Sequence, residues 1–325
     1  MKAYLGIDVG SVSTNIIVLN DQCSVINKLY IRTQGQPIKA IQKGLKQIWE
    51  ELGNDLTVMG VGATGSARYL TSIIVGADVV KNEITAHAVA AAAIVPNVKT
   101  ILEIGGQDSK IIIMRNGIVA DFAMNTVCAA GTGSFLDQQS SRLGLPIEEF
   151  GQLALKSKNP VRIAGRCSVF AESDMIHKQQ MGHPIEDIIR GLCEALVRNY
   201  LNNVGKGKSI DSPIVFQGGV AANQGMVEAF KRVLGNDIIV PDYFEVMGAV
   251  GSAILAKEAM QKGRQTSFKG FEGVMVDFNA NSFECTNCAN CCEIIQIYEN
   301  NRIIARWGDR CGKWENSLFN EVRTG

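Results

Sequence analysis

The sequence predicts an α/β protein in which one domain is duplicated and a small cysteine-rich module follows. Three observations support this fold class. The chain has 325 residues, more than one ordinary hydrophobic core contains, so two domains or a split domain are expected. A stretch that begins at residue 5 is repeated close to residue 101. Five of the nine cysteines lie between residues 285 and 311.

The repeated stretches are LGIDVGSVSTNIIVLND (5–21) and ILEIGGQDSKIIIMRNG (101–117). Asp8 corresponds to Glu103 and Gly10 to Gly105, and in both copies an apolar run and a second turn come next. Each copy therefore predicts a β-hairpin whose tight turn carries an acid and small polar residues. Either copy alone would be read as an ordinary hairpin, but the repetition favours a duplicated domain.

The two predicted turns have the composition of phosphate-binding loops. Small residues allow backbone N–H groups to approach phosphate oxygens, and neighbouring hydroxyls add hydrogen bonds. Asp8 and Glu103 are expected on opposed strands that face one cleft, where carboxylates suit hydrated Mg²⁺. The sequence contains no G-x-x-x-x-G-K-[ST] motif, which excludes a P-loop protein. The candidate nucleotide-binding residues of the two turns are Gly10, Ser11, Ser13, Thr14, Asn15, Gly105 and Gly106.

Two later segments are expected at the same cleft. PIVFQGGVAANQGMVEAF (213–230) predicts a buried strand that ends at Gln217, a double glycine and then a helix. Its candidate nucleotide-binding residues are Gln217, Gly218 and Gly219. Gly218 and Gly219 allow the chain to approach a flat ligand closely, although a plain strand-to-helix turn is the alternative. VMGAVGSAILA (246–256) predicts a helix of small residues that packs tightly near the site.

Two isolated cysteines, Cys128 and Cys167, each precede a predicted helix. The first helix begins after AAGTG and ends at Gly144, and the second has Ser168 as its expected N-cap. Helix N-termini carry partial positive charge, which favours anionic sulfur. Without further information, each cysteine is better explained as a small core residue. Cys23 and Cys193 are interpreted as structural.

The last part of the chain has the pattern of a small metal-binding module. The cysteines Cys285, Cys288, Cys291 and Cys292 have the spacing C-x₂-C-x₂-C-C. EIIQIY and RIIARW, joined by ENN, predict a hairpin, and Cys311 follows it. Zinc is the favoured metal because its ligands are thiolates and the hairpin is typical of a ribbon. A second iron–sulfur cluster is the alternative, and a disordered tail is disfavoured by the regular strands.

Composition excludes other classes of protein. The formal net charge is zero, so nothing indicates a nucleic-acid partner. No apolar run has transmembrane length, and the N-terminus enters a strand directly, as no signal peptide does. We therefore expect a cytoplasmic protein without a membrane partner, in which cysteines are thiols or metal ligands.

Seven segments resemble a family within the actin, sugar kinase and heat-shock ATPase superfamily. They are GIDVGSVSTN, GATGSAR, NEITAHA, EIGGQDSK, MNTVCAAGTGSFLD, GRCSVFAESDMI and FQGGVAAN, and they lie within residues 4–256. The family comprises the activator ATPases of 2-hydroxyacyl-CoA dehydratases, grouped with the BadF/BadG/BcrA/BcrD-type ATP-binding subunits of benzoyl-CoA reductase. The resemblance implies an actin-like ATPase fold, with two ribonuclease-H-like lobes around a nucleotide cleft.

The resemblance also implies cofactors and partners. A homodimer of such proteins holds one [4Fe–4S] cluster, so Cys128 and Cys167 of each subunit would supply its four thiolates. ATP hydrolysis would drive one electron at low potential to a dehydratase, a benzoyl-CoA-type reductase or a similar iron–sulfur enzyme. Ferredoxin or flavodoxin is the expected electron donor. ATP or ADP with Mg²⁺ would occupy the cleft, with Asp137 among the nucleotide-binding residues and Gln107 orienting the attacking water.

The expected domains are lobe I (1–95), lobe II with the cluster loops (96–261), a linker (262–280) and the cysteine-rich hairpin module (281–325). We assign the helix at about 243–261 to lobe II by its position in the sequence, and we expect that it can pack on lobe I. The compact activators end near residue 260, and the tail resembles a segment of longer relatives. The alternative functions are a small-molecule kinase of the same superfamily and a non-redox nucleotide-dependent assembly module.

Overall fold

The computed structural model contains two five-stranded sheets with the same strand arrangement, and it describes residues 1–165, 167–260 and 263–315. The first sheet comprises β1 (Lys2–Val9), β2 (Ser13–Asn20), β3 (Val25–Arg32), β4 (Thr57–Thr64) and β5 (Val79–Val80), in the order β3-β2-β1-β4-β5. The second comprises β6 (Thr100–Ile104), β7 (Ser109–Arg115), β8 (Ile118–Asn125), β9 (Ile214–Gln217) and β10 (Ile238–Ile239), in the order β10-β9-β6-β7-β8. In each sheet three antiparallel strands are followed by a strand parallel to the first. The predicted α/β fold and its duplication are confirmed.

Ten α-helices connect or cover these strands in the described part of the chain. They are α1 (Pro37–Leu52), α2 (Arg68–Val75), α3 (Glu83–Ile94), α4 (Gly133–Leu143), α5 (Ile147–Lys156), α6 (Ser168–Gln180), α7 (Ile185–Asn203), α8 (Gln224–Leu234), α9 (Met247–Met260) and α10 (Gly270–Gly273). The Asn82 side chain caps α3 by accepting a hydrogen bond from the Thr85 N–H at 2.9 Å. Helix α4 ends at Gly144, which has the left-handed conformation expected of a C-terminal glycine. The N-cap of α6 is Cys167, so the prediction of Ser168 was wrong by one residue.

The elements form five layers, because both faces of each sheet are covered. Alternate residues of a strand point to opposite faces. In β7, Ile111 and Ile113 pack against α4–α8, whereas Ile112 and Met114 pack against α3 and α9. The outer face of the first sheet is covered by α1 and α2. Helices α3 and α9 therefore lie between the two sheets and share one apolar cluster with both.

Helix α9 packs so closely that three glycines are required at its contacts. A Cβ on Gly6 would overlap the backbone oxygen of Ala249, and one on Gly62 would overlap that of Ser252. A Cβ on Gly251 would overlap the backbone oxygen of Ala86 in α3. The helix of small residues thus lies against the first sheet, although it follows the second sheet in sequence.

A third sheet lies at the end of the described chain. It has the order β11-β12-β13, with β11 (Phe278–Glu284), β12 (Glu293–Glu299) and β13 (Arg302–Trp307). The predicted hairpin is confirmed as β12–β13, and Asn300 and Asn301 both have positive φ, as a tight two-residue turn requires. Strand β11 was not predicted. Residues 316–325 of the expected module lie outside the described residues.

The segment expected to be a linker packs on the first sheet's outer layer. Phe271, Val274 and Phe278 are buried in the same cluster as residues of β1 and α1. The ring centroids of Phe271 and Trp49 are 5.0 Å apart. The apolar side chains of this segment are therefore packed against the rest of the protein, which a free linker would not show. Residues 261 and 262 are not among the described residues. No described helix has the length and apolar character needed to cross a bilayer.

Candidate active site

A cavity of about 570 Å³ lies between the two sheets, at the ends of β1 and β6. Its position follows from strand alternation, since Asp8, Glu103 and Lys110 all point to the inner face of their sheet. The volume lies within the range of about 300–1,000 Å³ that is usual for small-ligand sites. Most of the predicted site residues line it, namely Asp8, Gly10, Ser11, Ser13, Asn15, Glu103, Gly105, Gly106, Gln107, Asp137, Gly218 and Gly219.

The first phosphate turn joins β1 to β2. The Gly10 N–H donates a hydrogen bond to the Ser13 carbonyl at 2.9 Å, which closes the turn. Ser13 and Asn15 face the cavity, and Thr14 lies between them on the other face of the strand. The Thr14 hydroxyl is 3.0 Å from the Thr33 hydroxyl. The structure therefore does not place Thr14 at the cavity, because strand alternation turns it away.

The second phosphate turn repeats this geometry. The Gly105 N–H donates to the Asp108 carbonyl at 3.0 Å, and Gln107 is exposed at the tip of the turn. The beginning of α4 is bonded directly to this turn. The backbone N–H groups of Gly133 and Ser134 donate to the carbonyls of Gly105 and Gly106 at 2.9 and 2.8 Å, and the Ser134 hydroxyl donates to Gly106 at 2.5 Å. A Cβ on Gly133 would lie 2.9 Å from the Gly105 oxygen, so glycine is needed for this approach.

Lys110 is a buried cation at the base of the cavity, with a side chain only 2 % exposed. Its Nζ lies 2.8 Å from Glu83, 3.0 Å from Glu103 and 2.8 Å from Asp108. Burial alone would lower the pKa of the ammonium, but these three carboxylates raise it, so Lys110 is charged. A buried lysine is tolerated only when it is paired in this way.

The cavity holds more acids than Lys110 can neutralise. Among the ion pairs of the described residues none involves Asp8. Burial, followed by the charge of Glu83, raises the pKa of Asp8 to about 7. Burial likewise raises the pKa of Glu103 to about 8. These two carboxyls lack a full countercharge, which is the environment that a divalent cation relieves.

Gln217 and His87 meet behind the glycine pair. Gln217 is fully buried, and its Nε2 donates to His87 Nδ1 at 2.8 Å. Burial, followed by the charge of Lys110, lowers the pKa of His87 to about 3, so the ring is neutral and its proton is on Nε2. Gly218 has φ +89°, and a Cβ there would overlap the Ile104 carbonyl. Gly218 therefore lies so close to the β6 backbone that only glycine fits there. Gly218 and Gly219 line the cavity, whereas Gln217 contacts His87 and does not.

The far wall of the cavity consists of α4, α5 and the beginning of α8. Asp137 is exposed on α4 at this wall. A Cβ on Gly151 would lie 2.8 Å from Asn223 Oδ1 and 2.9 Å from the Gln224 backbone nitrogen, so glycine keeps α5 against α8. The Asn223 Nδ2 is buried without a hydrogen-bond partner, which leaves a donor at this wall.

Cys128 and Cys167 lie outside the cavity, and each stands at the beginning of a helical segment. Cys128 is the N-cap of a 3-10 turn, Ala129–Gly131, which leads into α4, and Cys167 is the N-cap of α6. Both are partly exposed free thiols. Asn125 fixes the backbone of Cys128, because its Nδ2 donates to the Cys128 carbonyl at 2.8 Å and its Oδ1 accepts from the Cys128 N–H at 3.0 Å. The neighbouring apolar side chains are unusually exposed, with Val127 95 % and Phe170 67 % accessible.

The tail cysteines lie at one end of the third sheet. The Cys285 N–H donates to the Cys292 carbonyl at 2.8 Å, which closes the knuckle between β11 and β12. The Cys285 sulfur accepts hydrogen bonds from Trp314 Nε1 at 3.3 Å and from Asn287 Nδ2 at 3.4 Å. Trp314 thus brings the segment that contains Cys311 back to the knuckle. Within the described residues, no three Cys, His, Asp or Glu side chains form a group that could hold a metal ion.

Sequence reasoning missed Lys110, Glu83 and His87. Two signals pointed to them. Lys110 directly precedes the apolar run Ile111–Met114 of β7, and Glu83 and His87 are the titratable residues of an alanine-rich helix, four positions apart. A charged residue in such a setting requires a buried partner, but only the folded chain identifies that partner.

The chain is similar to a family of known ATPases. The model of the BadF/BadG/BcrA/BcrD ATPase family matches residues 5–256. The (R)-2-hydroxyglutaryl-CoA dehydratase activating ATPase of Acidaminococcus fermentans is 34 % identical over 267 residues, which cover 81 % of this chain and 100 % of that protein. The 2-hydroxyisocaproyl-CoA dehydratase activator of Clostridioides difficile is 31 % identical over 80 % of this chain and 97 % of the relative.

A solved structure of the same kind of protein has the same fold. The activator of the 2-hydroxyisocaproyl-CoA dehydratase from Clostridium difficile, with bound ADPNP, superimposes with a TM-score of 0.73 at 30 % identity. The superposition covers 80 % of this chain and 96 % of that structure. The two sheets and the helices between them form an actin-like ATPase fold, to which the third sheet is added.

Proposed function

Because this chain belongs to the BadF/BadG/BcrA/BcrD ATPase family, we propose that it is an activator that uses ATP to deliver single electrons at low potential to an iron–sulfur enzyme. The chain is an ATPase. The observation that carries the activator role is the direct bonding of the second phosphate turn to the helix that follows Cys128. These bonds connect the backbone next to a partly exposed cysteine, Cys128, to the second phosphate turn.

The nucleotide part of the proposal rests on the cavity. The turns Gly10–Ser13 and Gly105–Asp108 offer backbone N–H groups and hydroxyls to phosphate oxygens. Asp8 and Glu103 would hold Mg²⁺, either directly or through its water ligands, and the cation would supply the charge that these buried carboxyls lack. Gln107, exposed at the tip of the second turn, would orient the attacking water.

The cluster part of the proposal rests on the donor set. A [4Fe–4S] cluster requires four thiolates, and it supplies one-electron chemistry at low potential. Cys128 and Cys167 of one subunit and the same pair of a second subunit make four, as a two-fold axis allows. Both thiols are partly accessible, and the apolar side chains beside them, such as Val127 and Phe170, are exposed to solvent. Exposed apolar side chains of this kind are typical of a surface that binds another subunit.

Coupling between the two parts follows from the bonds that connect them. Gly133 and Ser134 hold the second phosphate turn at the beginning of α4, and only a short 3-10 turn separates them from Cys128. A displacement of the turn on binding or losing a terminal phosphate would therefore move the Cys128 backbone. Nucleotide state would in this way bias two dimer conformations, as an ATP-driven donor requires.

The partners of the proposed activator are identified by chemistry. The acceptor would be a 2-hydroxyacyl-CoA dehydratase, a benzoyl-CoA-type reductase or a similar enzyme, and ferredoxin or flavodoxin would reduce the homodimer. For the tail, we propose that four of the five cysteines Cys285, Cys288, Cys291, Cys292 and Cys311 provide the tetrahedral ligands of a zinc ion, although no three of these side chains already form a group that could hold a metal among the described residues. Their spacing, their position at one end of the sheet and the two N–H donors to the Cys285 sulfur support this proposal.

The test is the iron content of the full chain purified without oxygen. We expect a brown dimer with about four iron atoms per two chains. Cys128→Ser should lose most of this iron, whereas the matched Cys23→Ser variant, whose sulfur lies 3.3 Å from Lys257 Nζ and away from Cys128, should retain it. A colourless wild-type monomer, or full iron in Cys128→Ser, would contradict the proposal.

A further inference from the structure

The segment NEITAHA (82–88) places two polar side chains at the boundary between the two sheets. Glu83 and His87 lie four residues apart on α3, so they project from the same side of the helix. The residues between and after them are mostly apolar, and α3 is otherwise part of the core. Polar side chains in such an apolar setting are expected to form specific polar contacts.

Helix α3 is attached rigidly to the first sheet. It packs on α9 at the contact between Gly251 and the Ala86 backbone, and α9 packs on β1 and β4 at Gly6 and Gly62. Backbones in such close contact cannot slide past one another without collision. The first sheet, α9 and α3 therefore move together if the two sheets move relative to each other.

The contact of α3 with the second sheet has a polar part. Glu83 Oε2 lies 2.8 Å from Lys110 Nζ, and His87 Nδ1 lies 2.8 Å from Gln217 Nε2. Lys110 and Gln217 belong to β7 and β9. If Glu83 moved away, Lys110 would keep Glu103 and Asp108. Separation of the sheets would thus leave no buried cation unpaired, so these bonds can break and form again.

We propose that Glu83 and His87 are positioning residues that hold the two sheets in the arrangement in which both phosphate turns face one nucleotide. Both side chains also line the cavity, but this role does not require contact with the reacting atoms. They act through Lys110 and Gln217, and they keep the binding-competent arrangement populated before ATP arrives. The proposal requires the ATPase activity of the family but neither the iron–sulfur cluster nor a partner enzyme.

The expected consequence is a change in affinity rather than in chemistry. When a mutation lowers the population of the competent state, the apparent affinity falls by the same factor, and saturating ligand restores that state. In the full-length protein we expect Glu83→Gln to raise the KM for MgATP roughly tenfold, with a much smaller change in kcat.

The matched control is Glu50→Gln on α1. Glu50 is also a carboxylate on a helix with a lysine partner, Lys46 at 3.8 Å, but it is exposed and distant from the cavity. It should behave as wild type. A lower kcat at unchanged KM in Glu83→Gln would assign Glu83 to the chemical step and overturn the proposal, as would wild-type values of both constants.

His87 provides an independent pair of variants if Glu83→Gln does not fold. In His87→Asn the amide oxygen can accept the Gln217 N–H in place of Nδ1, whereas His87→Leu cannot. We expect the KM increase to be several-fold smaller for the Asn variant than for the Leu variant. Equal effects of the two variants would show that His87 does not act through Gln217.

Discussion

At the scale of single residues, the acids of the cavity make stability depend on pH. The pKa of Asp8 is raised from 3.8 to about 7 by burial and then by Glu83. A group whose pKa is higher in the folded state stabilises the fold fully below its unfolded pKa, and this stabilisation is lost as the pH rises through the folded value. In metal-free protein, the free energy of unfolding should therefore fall by about 1 kcal/mol between pH 6 and pH 8.5 through Asp8 alone.

The measurement is urea unfolding of the metal-free wild type and of Asp8→Asn at both pH values. Asparagine does not titrate, so the decrease should be smaller in the variant, and the difference between the two proteins isolates Asp8. MgADP should reduce the decrease in the wild type, because a bound cation favours the ionised carboxylate. An equal decrease in both proteins would contradict a raised pKa for Asp8.

The same residues show what a sequence can predict at this scale. Asp8 and Glu103 were found because the repeat aligned them. Thr14 was assigned to the nucleotide by its hydroxyl alone, although it alternates with Ser13 and Asn15 and faces Thr33 instead. The partners of Lys110 are distributed over α3, β6 and a turn. No spacing rule connects such positions, so tertiary structure is needed to find them.

At the scale of elements, strands were predicted correctly where apolar residues alternate or follow one another in sequence, and a strand was missed where they do neither. β12 and β13 were predicted from their isoleucines, whereas β11 is mostly exposed and polar, and its pairing with β12 makes it a strand. This pairing sets Glu284 opposite Glu293, and the knuckle cysteines follow at that end. The third sheet thereby brings the backbones of Cys285 and Cys292 within hydrogen-bond distance of each other.

The tail element carries a prediction of its own. Metal analysis of the full chain should find about one zinc per chain, in addition to cluster iron. A Cys285→Ser/Cys288→Ser double variant should lose the zinc but keep the iron, whereas Cys23→Ser should keep both. Absence of zinc from the wild type would refute the proposal, and so would extra iron that disappears with these two cysteines, since that result identifies a second cluster.

At the scale of the whole molecule, duplication was predictable because both copies keep the same turn chemistry. The return of α9 to the first sheet was harder to predict, because small residues indicate close packing but do not identify the element that packs against them. The sequence of one chain suggests the proposed second subunit only indirectly. The structural support for it is that exposed apolar side chains lie next to each cysteine in sequence, Val127 before Cys128 and Val169 and Phe170 after Cys167.

The exposure of Phe170 leads to a prediction about the proposed homodimer. Phe170 is 67 % exposed and lies three residues after Cys167. If it is buried against a second subunit, a carboxylate there would be desolvated without a partner, and Phe170→Glu should weaken the dimer by about 100-fold or more. Light scattering after gel filtration without oxygen should then find a monomer, and the iron should be lost with it, because one chain supplies only two of the four thiolates.

Tyr69→Glu is the control, since Tyr69 is 55 % exposed but lies on α2 at the first sheet. A Phe170→Glu protein that remains a dimer with full iron would place the shared interface elsewhere, whereas a monomer that keeps its iron would show that the cluster does not depend on symmetry.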